Sequence, residues 1–250
     1  MLTPSLIIIG AQKSGTSTLY ELLKQVPELI PSKYKEIHYF DRNYSKGKLW
    51  YLNQFKWYKR GLHFEASPSY LFFPEVPQRI LKLSKKIKFI VILRDPIDRA
   101  FSAWKMYHFK FEHLKDHPTL SYRYDNRSFE KAIKEELDAL SSGRTIDKFN
   151  YISRGFYKEQ IERYLLYFDK SNILFLRFED LSNQTQVLKE CKGFLNLKHD
   201  MVHTGDINIH ENPTRTHSME LDSGLLYDLK KLFALKNNNL SDLIGLDLDR

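Results

Sequence analysis

The sequence predicts an α/β fold in which a central parallel β-sheet of about five strands is flanked by helices on both faces. Short apolar runs rich in β-branched residues alternate along the chain with segments of helical periodicity. Alternation of this kind is typical of the strand and helix units that build a parallel sheet. The length of 250 residues suits one sizeable hydrophobic core, so we expect a single domain over residues 1–250.

The first strand and helix unit lies at the start of the chain. The run Leu6–Ile9 is wholly apolar and is ended by Gly10, which predicts a strand buried on both faces. Helical periodicity follows, and Pro27 stops it. The apolar positions of this helix recur at i, i+3, i+4 and i+7: Leu19, Leu22, Leu23 and Val26.

The same pattern returns near the middle of the chain. The run Lys88–Leu93 predicts a second buried strand, Asp95 suits a helix N-cap, and Pro96 suits the first helical position. Apolar side chains then follow at helical spacing: Ile97, Ala100, Phe101 and Trp104. This second pair of strand and helix supports the prediction of a parallel sheet.

The remaining predicted elements are shorter or less regular. They are a short strand at His63–Ala66, a helix opened by Ser128, a helix over 157–168 that leads into a strand at Ile173–Leu176, and a helix around Leu225–Phe233. The segment His108–Asn126 is aromatic and histidine-rich but shows no clear period. We predict no regular element there.

Charge and composition narrow the class of protein without choosing a partner. The net charge of +8 favours an anionic partner, which can be a nucleotide, a glycan, nucleic acid or a membrane surface. No stretch approaches the roughly 20 apolar residues that a membrane-spanning helix needs. The apolar run directly after Met1 leaves no room for a secretory leader, and the lone Cys191 fits a reducing compartment. We therefore expect a cytoplasmic protein.

The loop between the first strand and its helix has the composition of a phosphate site. It runs Gly10-Ala11-Gln12-Lys13-Ser14-Gly15-Thr16-Ser17-Thr18. Backbone N–H groups and the helix dipole favour an anion at this position, while Lys13 adds a charge and the hydroxyls add donors. The loop is P-loop-like, but Thr16 stands where the Walker A pattern requires lysine. This substitution argues against a magnesium-dependent nucleotide hydrolase.

Two motifs in this order resemble the PAPS-dependent sulfotransferases. The sequence Gly-x-x-Lys-Ser-Gly-Thr-Ser-x-Leu, starting at Gly10, is similar to that family's 5′-phosphosulfate loop. The segment over 89–102 is similar to its 3′-phosphate motif. The resemblance implies that Lys13, Ser14, Gly15, Thr16, Ser17 and Thr18 bind the phosphosulfate of the donor. It also implies that Arg94 and Ser102 bind the 3′-phosphate, although Arg94 could instead pair with Asp95 or Asp98.

A third segment resembles the heparan sulfate (N- and 3-O-) branch of the same family. The residues Lys35-Glu36-Ile37-His38-Tyr39-Phe40-Asp41 are similar to that branch's Lys-Glu-x-His-Phe-Phe-Asp. The resemblance implies that Glu36 is the general base, and we expect partial burial to raise its pKa. Lys13 would then neutralise the departing bridging oxygen. His38 could orient Glu36, contact the acceptor, share the proton transfer or act as the base itself.

Weaker similarities extend the resemblance over most of the chain. Tyr157 matches a position near the nucleotide but could equally belong to an apolar helix stripe, and Arg215 matches the arginine of a C-terminal phosphate loop. The chain departs from the heparan sulfate branch at Ala66, where those enzymes carry lysine. We also expect neither their disulfide nor their membrane anchor, as in a bacterial-type soluble member.

The sequence thus predicts sulfuryl transfer from PAPS, with PAP as product, to a hydroxyl or amine of an unidentified acceptor. The acceptor would be a glycan or a small metabolite, and we expect neither a metal ion nor a nucleic-acid partner. A P-loop kinase or NTPase and a non-catalytic polyanion-binding protein are the alternatives. A zinc site at His113 and His117, or at His199 and His203, lacks supporting ligands. The oligomeric state stays open.

Overall fold

A computed structural model describes residues 3–144, 146, 148–198 and 221–248 of the chain. Within these residues, five strands form one parallel sheet in the order β2-β3-β1-β4-β5. The strands are β1 (Leu6–Gly10), β2 (Leu29–Pro31), β3 (Leu62–Ala66), β4 (Lys88–Leu93) and β5 (Ile173–Arg177). The predicted α/β class with a parallel sheet of about five strands is confirmed.

Helices connect and follow the strands. They are α1 (Thr16–Lys24), α2 (Gly47–Leu52), α3 (Val76–Leu83), α4 (Pro96–Lys105), α5 (Phe129–Ser141), α6 (Tyr157–Leu165), α7 (Gln184–Leu195), α8 (Ser223–Lys236) and α9 (Leu240–Ile244). A π-helical turn, Met106–Lys110, follows α4 and overlaps the start of the aperiodic segment, and the rest of that segment up to residue 126 contains only short 3₁₀ turns. No helix in the described part of the chain is both long enough and apolar enough to cross a membrane.

The chain divides into two compact units. The first contains the residues up to Arg94, the segment that begins at Glu159, and the C-terminal segment from Asn239. The second contains Asp95–Lys158 and the segment that ends at Asn238. Each unit is therefore built from stretches that are discontinuous in sequence, and the expectation of one domain over 1–250 stays a prediction.

The first unit contains the sheet, with helices on both of its faces. On one face, α1 and α7 bury a cluster that includes Leu6, Ile8, Ile90 and Ile92. On the other face, the ring of Phe89 lies 5.5 Å from that of Tyr164 in α6 and 4.8 Å from that of Phe168. Phe89 and Ile90 point to opposite faces because successive side chains alternate along a strand.

The second unit is helical and has its own core. Helices α4, α5 and α8 contribute the buried side chains Phe101, Trp104, Ile133 and Phe233. The predicted caps are confirmed: the Asp95 carboxylate accepts the N–H groups at the start of α4, and Ser128 Oγ accepts the N–H of Lys131 at the start of α5. Local chemistry thus fixes where these helices begin.

The strand order places a topological switch point beside β1. From β1 the chain first builds β2 and β3 on one side, and then builds β4 and β5 on the other. In parallel α/β sheets, ligands bind outside the carboxyl ends of the strands at such a point. The phosphate-site loop leaves β1 at this edge, and Arg94 follows β4 at the same edge.

Candidate active site

The phosphate-site loop connects β1 to α1 and uses a left-handed backbone at two positions. Gly15 has φ +83° and is the N-cap of α1, while Lys13 has φ +72°. A Cβ atom at Gly15 would lie 2.2 Å from Leu181 Cδ1 and 3.1 Å from Phe178 Cδ2. Glycine is therefore needed here for two reasons, the positive φ and the close packing against the segment after β5.

The hydroxyls of this loop differ in exposure. Ser14, Thr16 and Thr18 are buried, whereas Ser17 is half-buried. Among the described residues, Ser14 Oγ has no hydrogen-bond partner, although it is shielded from solvent. A buried hydroxyl without a partner is costly, and a phosphate or sulfate oxygen is the kind of acceptor that would satisfy it. The loop therefore fits the anionic donor that the sequence predicted.

Arg94 lies against the same loop. Its Nη1 donates to the carbonyl of Lys13 at 3.3 Å, and its guanidinium lies 4.3 Å from the ring centroid of Phe178. The Asp95 carboxylate accepts the N–H groups of Ile97 and Asp98 at 2.9 and 2.8 Å, so it serves as the helix cap. Phe178 was not predicted as a site residue, because it follows β5 and no local motif links it to Arg94.

Glu36 and His38 lie beside the carboxyl end of β3. The N–H of Glu36 donates to the carbonyl of Ala66 at 2.9 Å. Both residues have a positive φ, +64° for Glu36 and +51° for His38. A non-glycine residue in this region costs about 1–3 kcal/mol and persists only where surrounding contacts hold it. Such strain is characteristic of functional segments.

The Glu36 carboxylate is half-exposed and has two cationic or polar neighbours. Lys35 Nζ donates to Oε1 at 2.9 Å, and His38 Nε2 lies 3.5 Å from Oε2. The hydrogen bond from His38, helped by Lys35, outweighs burial and lowers the pKa of Glu36 to about 2. The expected rise in this pKa was wrong, because Lys35 and His38, although close to Glu36 in the sequence, bring their donors to its carboxylate only in the folded segment.

His38 is held by a second carboxylate. Its Nδ1 lies 2.8 Å from Oδ2 of Asp41, whose side chain is fully buried. Burial disfavours the imidazolium, but the hydrogen bonds to Asp41 and Glu36 outweigh it and raise the pKa of His38. Asp41 was absent from the predicted site; its spacing of three from His38 was the available signal.

Asp41, His38 and Glu36 form a chain suited to proton transfer. When Asp41 accepts the Nδ1 proton, the neutral imidazole presents Nε2 as an acceptor toward Glu36. A proton taken up by Glu36 could then pass to His38. Orienting Glu36 and sharing the proton transfer are both compatible with this geometry, and the role of His38 stays a prediction.

The aromatic segment over 50–58 is partly core. Tyr51 and Phe55 are 0% and 3% exposed, so they cannot stack on a ligand. Trp50 is half-buried and lies 4.5 Å from Lys46 Nζ, while Tyr58 is exposed. Trp57 is half-buried as well, so Trp50, Trp57 and Tyr58 are the aromatics of this segment that can offer a ring to an acceptor.

The other predicted residues lie in the second unit or outside the described residues. Ser102 is buried on α4, and Tyr157 is 1% exposed at the start of α6, which favours the core interpretation of this tyrosine. Arg215 falls outside the described residues. Within the ranges that the structure describes, no group of three or more His, Cys, Asp or Glu side chains could hold a metal ion.

Comparison with known proteins defines the class to which this fold and site belong. The sulfotransferase domain family matches residues 3–220, and the chain belongs to that family. Mouse heparan sulfate glucosamine 3-O-sulfotransferase 3B1 is 34% identical over 197 residues, which cover 78% of this chain and 46% of that enzyme. The chain therefore spans less than half the length of this relative.

Solved structures agree with this assignment. A sulfotransferase from Alicyclobacillus acidocaldarius superposes with a TM-score of 0.75 at 27% identity, covering 99% of this chain and 98% of that one. Mouse sulfotransferase SULT7A1, complexed with PAP, has the same fold with a TM-score of 0.60 at 18% identity, covering 97% and 86%. The predicted family is confirmed, and the kinase, NTPase and polyanion-binding alternatives are not favoured.

Proposed function

We propose that the protein transfers a sulfuryl group from PAPS to a hydroxyl or amine of an acceptor, with Glu36 as the general base. One observation carries the proposal. The N–H of Glu36 is bonded to the end of β3, and β3 is the direct neighbour of β1, which ends in the Lys13 loop. The proposed base and the anion loop therefore share one edge of the sheet in the first unit.

In this reaction the acceptor oxygen or nitrogen attacks sulfur in line with the leaving group. A bond forms to sulfur while the bond from sulfur to the bridging phosphate oxygen breaks, and PAP departs with that electron pair. Lys13 neutralises the charge on the departing oxygen, and loop residues Ser14–Thr18 bind the phosphosulfate. Roles for Arg94, Ser102 and Arg215 at the donor nucleotide rest on the family resemblance, as does that of Tyr157, whose burial favours the core instead.

The low pKa of Glu36 determines how it acts as a base. The carboxylate is ionised at neutral pH, so it is ready to accept the acceptor's proton. Its basicity is weak while Nε2–H of His38 donates to it; once Nε2 has lost that proton, the neutral imidazole is the stronger base and the proton taken up by Glu36 passes to Nε2. Asp41 stabilises the imidazolium that results.

We propose a saccharide as the acceptor, with a small metabolite as the other class. Exposed Tyr34 and the Lys46–Trp50 pair offer ring and cation contacts close to Glu36 in the sequence. Related enzymes are named for heparan sulfate glucosamine, which supports a sugar hydroxyl or amine. The cytoplasmic location also stays a prediction, supported by a single cysteine that is buried.

Calorimetry with PAP tests the donor half of the proposal. We expect PAP to bind the wild type and to bind Lys13→Ala at least about tenfold more weakly, since a charge-assisted contact is lost. Lys24→Ala, which removes an exposed lysine of α1, is the matched control and should bind normally. Failure of the folded protein to bind PAP, while ATP with magnesium binds and turns over, would refute the proposal.

An acceptor screen with labelled PAPS tests the catalytic half. Glu36→Gln should reduce transfer by about 100-fold or more while PAP affinity is retained, because general-base catalysis contributes about 10²–10⁴ in rate. Glu21→Gln, at an exposed carboxylate of α1, is the matched control. Equal transfer by wild type and Glu36→Gln would remove the assignment of the base and leave the donor assignment standing.

A further inference from the structure

A buried carboxyl group lies directly behind the segment that carries Glu36 and His38. Glu65 on β3 is 0% exposed. Its Oε1 accepts a hydrogen bond from the Tyr51 hydroxyl at 2.7 Å and a longer one from the Tyr70 hydroxyl at 3.4 Å, and its Oε2 accepts one from Ser67 Oγ at 2.8 Å. The proposed reaction does not use this group.

Two of these hydroxyls also hold the backbone of the segment 36–40. Ser67 Oγ accepts the N–H of His38 at 3.2 Å. The Tyr70 hydroxyl accepts the N–H of Tyr39 at 2.8 Å and that of Phe40 at 3.3 Å. Three consecutive backbone donors are thus satisfied by side chains that themselves point at Glu65.

The direction of these hydrogen bonds follows from the acceptor at their centre. A hydroxyl has one proton, and an ionised carboxylate can only accept. In its ionised form Glu65 therefore draws the protons of Ser67 and Tyr70 toward itself and leaves their lone pairs facing the N–H groups of the segment. Without the carboxylate, either hydroxyl could turn its proton toward those N–H groups and repel them.

We propose that Glu65 is a positioning residue, which holds the strained backbone of the segment 36–40 through Ser67 and Tyr70 so that Glu36 and His38 face the reaction. The catalytic meaning of this role rests on the proposed function. The structural role of Glu65 is independent of the proposed function, because the positive φ values of Glu36 and His38 need support from other residues whatever the segment does.

Two further observations support this role. Burial raises the pKa of Glu65 to about 7 and the hydrogen bonds from Tyr51 and Ser67 oppose that rise, so the ionised form that orients the hydroxyls predominates above about pH 7. The ring of Tyr51 also stacks on that of Tyr39, with 4.6 Å between the ring centroids, so a second residue that hydrogen-bonds Glu65 contacts the segment directly. His38 and Asp41 are the charged groups that face Glu65 from the segment.

Hydrogen exchange in the wild type is the first test and needs no variant. The amides of His38, Tyr39 and Phe40 should exchange at least about 100-fold more slowly than unstructured amides, because their acceptors are buried. Exchange at the rate of an unstructured chain would overturn the proposal. This outcome is decisive even if every variant fails to fold.

Ser67→Ala and Tyr70→Phe are the second test, because they break the network without changing its charge. We expect faster exchange of these three amides, by about tenfold or more, and a fall of the His38 pKa toward its ordinary value in NMR titration. Tyr151→Phe is the matched control, since it removes a buried hydroxyl donated to Asp125 in the second unit. It should leave both readouts unchanged.

Glu65→Gln separates positioning from general stability. It should speed exchange of the same amides and reduce turnover by about tenfold or more, while the Kd for PAP changes less than about twofold. Folded Ser67→Ala and Glu65→Gln variants that keep wild-type exchange at residues 38–40 would refute the proposal. The exchange and titration readouts involve neither PAP nor an acceptor, so failure of the proposed function leaves this test intact.

Discussion

Two carboxyl groups beside the end of β3 show how strongly surroundings alter one side chain. Glu36 and Glu65 are both glutamates, yet the pKa of Glu36 falls to about 2 and that of Glu65 rises to about 7. Glu36 is half-exposed and is contacted by His38 and Lys35, whereas Glu65 is fully buried among hydroxyls. Donors that favour the charged form dominate in the first case, and desolvation dominates in the second.

At Glu36 we predict that removing its donors raises its pKa. NMR titration should show a larger rise in His38→Ala than in Lys35→Ala, because the hydrogen bond from His38 is the leading cause of the low value. The folded pKa lies below the ordinary value of 4.5, so the stability from this group is present above pH 4.5 and is lost as pH falls toward 2. Lys24→Ala is the control, and a Glu36 pKa unmoved by His38→Ala would contradict the assignment.

At Glu65 we predict the opposite pH dependence of stability. Its folded pKa of about 7 lies above the ordinary 4.5, so its contribution is present below pH 4.5 and is lost as pH rises through 7. A pKa shift of this size corresponds to a change of about 3 kcal/mol in the free energy of unfolding. Relative to wild type, Glu65→Gln should therefore gain free energy of unfolding between pH 5 and pH 8 in urea titrations. A constant difference between the two proteins over that range would show that Glu65 is not perturbed.

The phosphate-site loop shows what a single element demands of its sequence. Its turn into α1 requires a positive φ at Gly15, and the segment after β5 approaches so closely that no side chain fits. The glycine was recognisable from the loop pattern. The packing by Phe178 and Leu181 was not, because these residues are more than 160 positions away in the chain.

For this loop we predict that Gly15→Ala destabilises the protein more than an alanine substitution at a glycine where only backbone strain results. Gly245 also has a left-handed backbone, φ +73°, but a Cβ atom there would meet only Lys170 Nζ, at 3.5 Å. Gly245→Ala should cost about 1 kcal/mol of unfolding free energy. Gly15→Ala should cost about 1–3 kcal/mol more because of overpacking. Equal losses of unfolding free energy in urea titrations would show that Leu181 moves aside without a cost in stability.

Whole-molecule behaviour depends on whether the two compact units unfold together. Each unit is assembled from stretches discontinuous in sequence and has its own buried cluster. Tryptophans report on them separately, because Trp57 belongs to the first unit and Trp104 to the core of the second.

We predict one cooperative transition, as expected of a single domain. Two single-tryptophan variants, one keeping Trp57 and one keeping Trp104, should show coincident urea midpoints by fluorescence, equal to the midpoint from circular dichroism of each variant. Midpoints that differ between the fluorescence and circular dichroism of one variant would instead identify two domains. Comparing probes within each variant controls for any stability change caused by the substitutions.

Much of the fold was predictable because local signals there agree with the tertiary structure. The apolar runs that became β1, β4 and β5, and the caps Asp95 and Ser128, act within a few residues of each other in the chain. Among the helices and strands of the described residues, five were not predicted: β2, α2, α3, α7 and α9. The Asn183 cap and the buried apolar stripe of α7 were local signals that the sequence analysis missed. The three-residue β2 owes its existence to pairing with β3, and α7 is defined by packing on the sheet face.

The sequence by itself determined the α/β class, the family, the place of the Lys13 loop after the first strand and the place of Arg94 after a later strand. Residue order within short motifs carries this information. Only the tertiary structure decided the low pKa of Glu36, the Asp41–His38 contact and the buried Glu65 network. The physical reason is that a pKa and a hydrogen-bond direction depend on burial and on neighbours in space. Parallel strands bring residues such as His38 and Ser67 together although 29 positions separate them along the chain.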